Sequence, residues 1–147
     1  MSSFRSYVWD PSLIIAQILC MQSVFYSSEC ILLSLGRIRG YQPYIMQLFS
    51  PQVSSQVAIV QLLSASISAL ALCFVVQRAK QCLDFACTYH FWHLLLVIYC
   101  SGSFPLQISW WLLQVISIIL CTVLGEYLCL RAESKEIPLS FPSKYEL

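Results

Sequence analysis

Charged residues are scarce in this sequence. Of its 147 residues, 10% are charged, eight of them basic and seven acidic, whereas 59% are apolar. Ordinary soluble domains carry about a quarter charged residues, and so few charges could not cover the outside of a soluble domain of this length. The composition therefore predicts a protein whose outer surface faces a lipid bilayer.

The sequence also lacks the features of several other classes of protein. Its formal net charge is +1, and no basic stripe of the kind that nucleic acid requires is present. No nucleophile stands beside a base, and there is no glycine-rich phosphate loop and no cofactor motif. We therefore expect no nucleic-acid partner, no small-molecule substrate, no cofactor and no enzymatic activity.

The eight cysteines do not follow the spacing of a disulfide framework. Most of them lie inside apolar runs, where we expect them to act as small packing residues. Cys82 and Cys129 lie beside predicted membrane exits, so S-palmitoylation is the alternative role for these two thiols.

Long uncharged intervals divide the chain into four predicted transmembrane helices. A helix that spans a bilayer needs about 20 apolar residues. The uncharged interval 85–125 is about twice that length and is broken at 101–105, which predicts a helical hairpin. The predicted helices lie near 12–35, 56–77, 85–101 and 107–129, within a domain of residues 1–131. Residues 132–147 are predicted to form a flexible cytosolic tail, and the fold class is an all-α integral membrane protein.

The basic residues predict how these helices are oriented in the membrane. Four crossings place both termini on one side, and cytosolic segments carry an excess of Lys and Arg. Arg37 and Arg39 fall on the opposite side from the termini. The six other basic residues fall on the side of the termini: Arg5, Arg78, Lys80, Arg131, Lys135 and Lys144. We therefore predict cytosolic N- and C-termini.

The first apolar run begins at Leu13, after Arg5 and Asp10, and has no small-residue cleavage site. We therefore expect the first helix to remain in the mature protein. At the hairpin end of the fourth helix, Trp110 and Trp111 are predicted to be interfacial anchors.

His90 and His93 are three positions apart, so a helix places both imidazoles on one face. Two ligands are too few for a tetrahedral metal site, and no other Asp, Glu or His lies at a comparable depth. The pattern therefore favours hydrogen bonds from these two histidines to other helices. A metal or haem centre is the alternative.

The acidic residues near the membrane are the other candidates for a site. Asp84 suits the first turn of the third helix, where exposed amides favour an acid. The alternative is a cytosolic recognition patch that Asp84 forms with Arg78 and Lys80. Glu126, five residues before Arg131, is expected at the level of the lipid headgroups. Glu29 lies within its helix, where a charge is costly, so it should face the bundle, an interface or a partner.

Several ordered segments of the sequence match one family of membrane proteins. These segments are FRSYVWDP at 4–11, KQCLDF at 80–85, HFWHL at 90–94, GEYLCLR at 125–131 and, more briefly, FP at 104–105, WWL at 110–112 and KEIPL at 135–139. They resemble the SYS family of Golgi four-pass membrane proteins. The resemblance covers both ends of the membrane region and most of the second half, but it is not evident at 36–55 or beyond 139.

The resemblance implies a function that composition does not supply. Members of this family act as receptors, at the trans-Golgi network, for an Arf-related small GTPase whose N-terminus is acetylated rather than myristoylated. The GTPase recruits a further Arf-like protein and golgin tethers, and the pathway supports vesicle-mediated transport between endosomes and the Golgi. Carried over to this chain, docking would involve Arg78, Lys80, Asp84, Glu126 and Arg131. A small transporter or an assembly subunit is the alternative function.

Overall fold

The described part of the chain folds into four long helices. The computed structural model describes residues 10–40, 42 and 44–136. The helices are α1 (Pro11–Arg37), α2 (Ser55–Val75), α3 (Cys82–Ser101) and α4 (Ile108–Glu136), and short 3-10 turns occupy Ile45–Phe49 and Ala79–Gln81. All four helices are long and apolar enough to cross a membrane, and the third span includes the turn before α3. The predicted all-α fold with four transmembrane helices is confirmed.

Local capping explains where several helices begin and end. The Asp10 carboxylate accepts hydrogen bonds from the N–H groups of Ser12 and Leu13, at 3.0 and 3.3 Å, directly before a proline at the first helical position. The Ser54 hydroxyl accepts one from the N–H of Val57 at the start of α2. Helix α3 ends at Ser101 and is capped by Gly102, whose φ of 65° is the left-handed conformation that glycine adopts without strain.

Helix α4 is longer than predicted. It continues to Glu136 rather than ending near 129, so residues 132–136, which were assigned to the tail, are helical. The physical reason is that this segment contains good helix formers and no helix breaker before Pro138. The rest of the predicted tail, 137–147, lies outside the described residues. Helix α3 begins at Cys82 rather than at 85, because the turn Ala79–Gln81 leads directly into it.

The helices pack as an antiparallel bundle. Helix α2 has extensive contacts with α1 and α4, and α3 contacts α4 and α1. Small side chains on α2, Ala65 and Ala69, are fully buried and allow neighbouring helices to approach closely. The core around them contains Phe25, Leu72 and Tyr89.

Two long-range hydrogen bonds identify the two ends of the bundle. The Gln17 amide donates to the carbonyl of Val75 at 3.1 Å, which joins the start of α1 to the end of α2. The N–H of Val53 donates to the Gln107 side-chain oxygen at 3.1 Å, which joins the start of α2 to the residue before α4. We call the first end, which includes Cys82 and the last turns of α4, the terminal end, and the second the hairpin end.

The outer face of the bundle is apolar, as expected for lipid contact. Leu19, Phe74 and Ile119 are each more than half exposed, and they lie on different helices. All eight cysteines are free thiols. Four of these thiols lie on the outer face, one is half-buried, and Cys82, Cys121 and Cys129 are buried.

Candidate docking surface at the terminal end

Helix α4 extends beyond α2 and α3 at the terminal end. Gly125 lies level with the last turn of α2 and the first turn of α3, because a Cβ added there would be 3.2 Å from Leu72 Cδ1 and 3.4 Å from Cys82 Sγ. Cys129, about one turn later, still contacts Cys82, and from Cys129 to Glu136 the helix rises about 10 Å further. The turns after Cys129 therefore extend beyond α2 and α3, where a partner can reach them.

The last turns of α4 present both apolar and charged side chains. Tyr127 and Leu130 are more than half exposed. Arg131 is exposed, and Glu126, one residue after the close contact at Gly125, is half-buried. Exposed aromatic and aliphatic groups beside charges are typical of protein-binding surfaces.

The connection between α2 and α3 brings the other predicted residues to the same end. Gln77 adopts a positive φ of 58°, which turns the chain sharply after α2, and the next residues form the 3-10 turn Ala79–Gln81. Ala79 is buried, and this turn packs against α4. Arg78 and Lys80 are exposed on either side of Ala79.

Four charged side chains at this end form no hydrogen bond or ion pair within the described part of the chain. These are Lys80, Asp84, Glu126 and Arg131. Arg78, by contrast, takes part in an interaction within the chain. Asp84 does lie in the first turn of α3, and its backbone carbonyl accepts a hydrogen bond from Thr88 Oγ1, but its exposed carboxylate bonds to no described residue. We call these five residues, Arg78 included, the terminal-end patch.

Cys82 and Cys129 lie beneath the terminal-end patch and contact one another. Their sulfur atoms are 3.8 Å apart, and both residues are almost completely buried. A buried thiol is not accessible for acylation, so the geometry favours packing over S-palmitoylation. The contact fixes the start of α3 against α4 and so positions Asp84 and Glu126 at the same level of the bundle.

The two histidines lie in the core and make different hydrogen bonds. His93 Nδ1 and the Tyr26 hydroxyl are bonded at 3.0 Å, which joins α3 to α1. His90 Nδ1 donates instead to the carbonyl of Ala86 at 2.8 Å, one turn earlier in α3. Among the described residues, the interhelical bond expected of both histidines is therefore present at His93 and not at His90. In the described range, no group of three or more His, Cys, Asp or Glu is arranged to hold a metal ion.

Other polar and aromatic side chains also occupy the core. Glu29 is 1% exposed and so faces the interior of the bundle. Trp110 is not the interfacial anchor that was predicted, because it is 3% exposed and its ring is nearly parallel to that of His93, with centroids 6.4 Å apart. Trp111 is on the outer face, and its indole N–H donates to the carbonyl of Pro105. Side chains at adjacent helical positions point about 100° apart around the helix axis, so only one of the pair can face the core.

A family model described as "Integral membrane protein S linking to the trans Golgi network", SYS1, matches residues 4–139 of this chain. That match covers nearly the whole sequence. The chain belongs to this family. SYS1 proteins are integral membrane proteins of the Golgi, so the chain is a multi-pass Golgi membrane protein.

Individual SYS1 relatives agree with the family match. A Protein SYS1 homolog from Nematostella vectensis is 37% identical and aligns with 95% of this chain and 93% of its own length. A homolog from Dictyostelium discoideum is 34% identical, and Protein SYS1 from Saccharomyces cerevisiae is 26% identical. This chain spans 62% and 65% of the length of those two relatives. No solved structure shows a significant match.

The SYS1 match includes the whole terminal-end patch. It also runs through 36–55, where the resemblance was not evident from the sequence, and it ends at 139. The predicted site residues thus lie on family segments that the fold brings to one end of the bundle.

Proposed function

We propose that the chain is a receptor that recruits an Arf-related small GTPase to the trans-Golgi network. In this role it supports vesicle-mediated transport between endosomes and the Golgi. The observation that supports the proposal is the terminal-end patch, where the side chains of Lys80, Asp84, Glu126 and Arg131 form no hydrogen bond or ion pair with another described residue. These charges of both signs lie beside exposed Tyr127 and Leu130 on the projecting helix. The family description, which refers to the trans-Golgi network, agrees with this role.

The chemistry of the proposed partner suits such a patch. An amphipathic N-terminal helix that is acetylated and carries no myristoyl chain binds a bilayer only weakly and reversibly. A protein receptor in the same membrane supplies a second attachment. We place the GTPase helix against the terminal ends of α3 and α4, where its apolar face contacts Tyr127 and Leu130 and its polar groups reach Asp84 and Glu126. This placement requires the terminal end to face the cytosol.

A double substitution tests the proposal. Asp84→Ala with Glu126→Ala removes both acids without changing the core, because Asp84 is exposed and Glu126 is half-buried. We expect the variant to reach the Golgi but to lose recruitment of the GTP-locked GTPase, measured by co-purification and by Golgi fluorescence of the GTPase. Arg37→Ala, which removes an exposed charge at the hairpin end, is the matched control and should recruit normally. Normal recruitment by a well-expressed double variant would contradict the proposed docking site.

One observation favours a small transporter or an assembly subunit as the second candidate. Several polar side-chain atoms in the core have no hydrogen-bond partner in the described range, among them Glu29 Oε2, Gln61 Nε2 and the Gln114 amide. Buried polar groups in membrane helices commonly line solute pathways or subunit contacts. Solute flux in liposomes, or a stable complex with other membrane subunits, would support this candidate over the receptor.

A further inference from the structure

A groove runs between α1 and α2 at the hairpin end of the bundle. Its volume is about 450 Å³. The described lining consists mainly of aliphatic side chains from the last turns of α1 and the first turns of α2, with one cation: Leu32, Leu33, Leu35, Arg39, Ile59 and Leu63. Gln56 lies at the start of the α2 wall. We call this feature the α1–α2 groove.

The α1–α2 groove crosses from the headgroup level into the hydrocarbon layer. Helix α1 has 27 residues and is about 40 Å long, so its ends exceed a hydrocarbon core of about 30 Å. Arg39 follows the end of this helix and therefore lies at headgroup level. Leu35, Ile59 and Leu63 are about half exposed, so the aliphatic part of the groove is open toward the acyl chains of the bilayer.

The headgroup end of the groove is positively charged. The Arg39 side chain is exposed and forms no ion pair or hydrogen bond with another described residue. Helix α2 begins beside it, and the Ser54 cap binds only the N–H of Val57. The N–H groups of Ser55 and Gln56 bond to no described residue, and such first-turn amides carry a partial positive charge that attracts phosphate.

Acidic side chains are absent from this region of the sequence. No Asp or Glu lies between Glu29 and Asp84, and Glu29 is buried in the core. A zwitterionic choline headgroup would bring its own cation close to Arg39, with no acid beside it to bind that cation. The charge pattern therefore suits a headgroup with a net negative charge.

We propose that the α1–α2 groove binds a glycerophospholipid with a net negative headgroup. The phosphate lies between the Arg39 guanidinium and the first-turn amides of α2, and part of one acyl chain lies along Leu35, Ile59 and Leu63. From Gln56 to Leu63 the groove follows α2 for about 10 Å, so it holds the upper part of one chain rather than a whole lipid. This inference is independent of the proposed GTPase recruitment, because the groove is at the opposite end of the bundle.

Native mass spectrometry of the full-length chain tests this proposal. The protein is purified in detergent and mixed with equal amounts of phosphatidylglycerol and phosphatidylcholine of identical chains. We expect phosphatidylglycerol adducts to predominate, and Arg39→Gln to reduce them about fivefold, the effect of removing one arginine from contact with an anionic lipid. Arg37→Gln is the matched control, because Arg37 is an exposed arginine at the same end that is not among the lining residues.

A second pair of variants tests the acyl-chain part of the site. Ile59→Trp should fill the groove and reduce lipid retention, whereas Ile67→Trp, two turns along the outer face of α2 and outside the groove, should leave it unchanged. Circular dichroism checks that each variant keeps its helix content. Equal loss in Arg37→Gln and Arg39→Gln, equal binding of the two lipids, or unchanged retention in Ile59→Trp would each overturn the proposal.

Discussion

At the residue scale, polar side chains in the core form hydrogen bonds between helices, because the bilayer core contains no water to bond with these groups. Tyr26 illustrates this, because its ring contacts Phe25, Phe49 and His93 while its hydroxyl bonds to His93 Nδ1. Phe49 belongs to the 3-10 turn at the hairpin end, so these aromatic contacts also hold the connection between α1 and α2 against the core. The Tyr26–His93 pair thus joins α1, α3 and this connection.

We expect Tyr26→Phe to destabilise the protein by about 1 kcal/mol, because it leaves the buried His93 Nδ1 without its partner while keeping the aromatic packing. Thermal unfolding of the detergent-solubilised protein measures the effect. Tyr99→Phe, at a position that is 86% exposed, is the control and should unfold like the natural protein. Equal unfolding temperatures for the two variants would show that the Tyr26 hydroxyl does not contribute.

At the scale of helices, a close approach of α4 to α2 and α3 sets the geometry of the terminal end. The contact depends on Gly125, since an added Cβ would meet Leu72 and Cys82 at 3.2–3.4 Å. These distances are short for a Cβ, although the Leu72 methyl group is the flexible end of a side chain. A single methyl group is therefore tolerable, whereas a larger side chain would push α4 away from the start of α3.

Gly125→Leu should destabilise the bundle by about 1–3 kcal/mol, the usual cost of overpacking a filled core, and Gly125→Ala should cost less. Thermal unfolding in detergent again provides the measurement. Val123→Leu on the exposed face of the same helix is the control and should have little effect. A Gly125→Leu variant as stable as the natural protein would contradict the packing described for this end. If the variant folds but its α4 is displaced, GTPase recruitment should fall as well.

At the scale of the whole molecule, the even number of crossings places residues 10 and 136 at the same end. The distribution of basic residues predicts that this end is cytosolic. GTPase docking requires this orientation, because the GTPase must reach the terminal end from the cytosol. The α1–α2 groove then lies in the lumenal leaflet.

Glycosylation tags test the orientation. An acceptor site inserted after Ser103, in the exposed turn between α3 and α4, should be glycosylated, and the same tag added to either terminus should not. The pattern is read as an endoglycosidase-sensitive shift on a gel. Glycosylation of a terminal tag would contradict the predicted orientation and remove the basis for GTPase docking at the terminal end.

The sequence by itself determined that this is a four-helix membrane protein. The long uncharged intervals and the break at 101–105 were sufficient to predict the four helices, because crossing a bilayer requires about 20 apolar residues in a helix. The short matched segments were sufficient to indicate the family. These are local properties of the chain, and they do not depend on how the helices pack.

Only the tertiary structure decided which polar and aromatic residues face inward. Trp110 and Trp111 are equivalent in sequence, but packing places Trp110 against His93 and Trp111 on the outer face. Likewise, His90 and His93 form one motif, yet His93 bonds to a hydroxyl from another helix whereas His90 Nδ1 bonds within α3. In a membrane bundle nearly every helix face is apolar, so hydrophobic periodicity does not identify the buried face. That face is set by small residues and close contacts such as the one at Gly125.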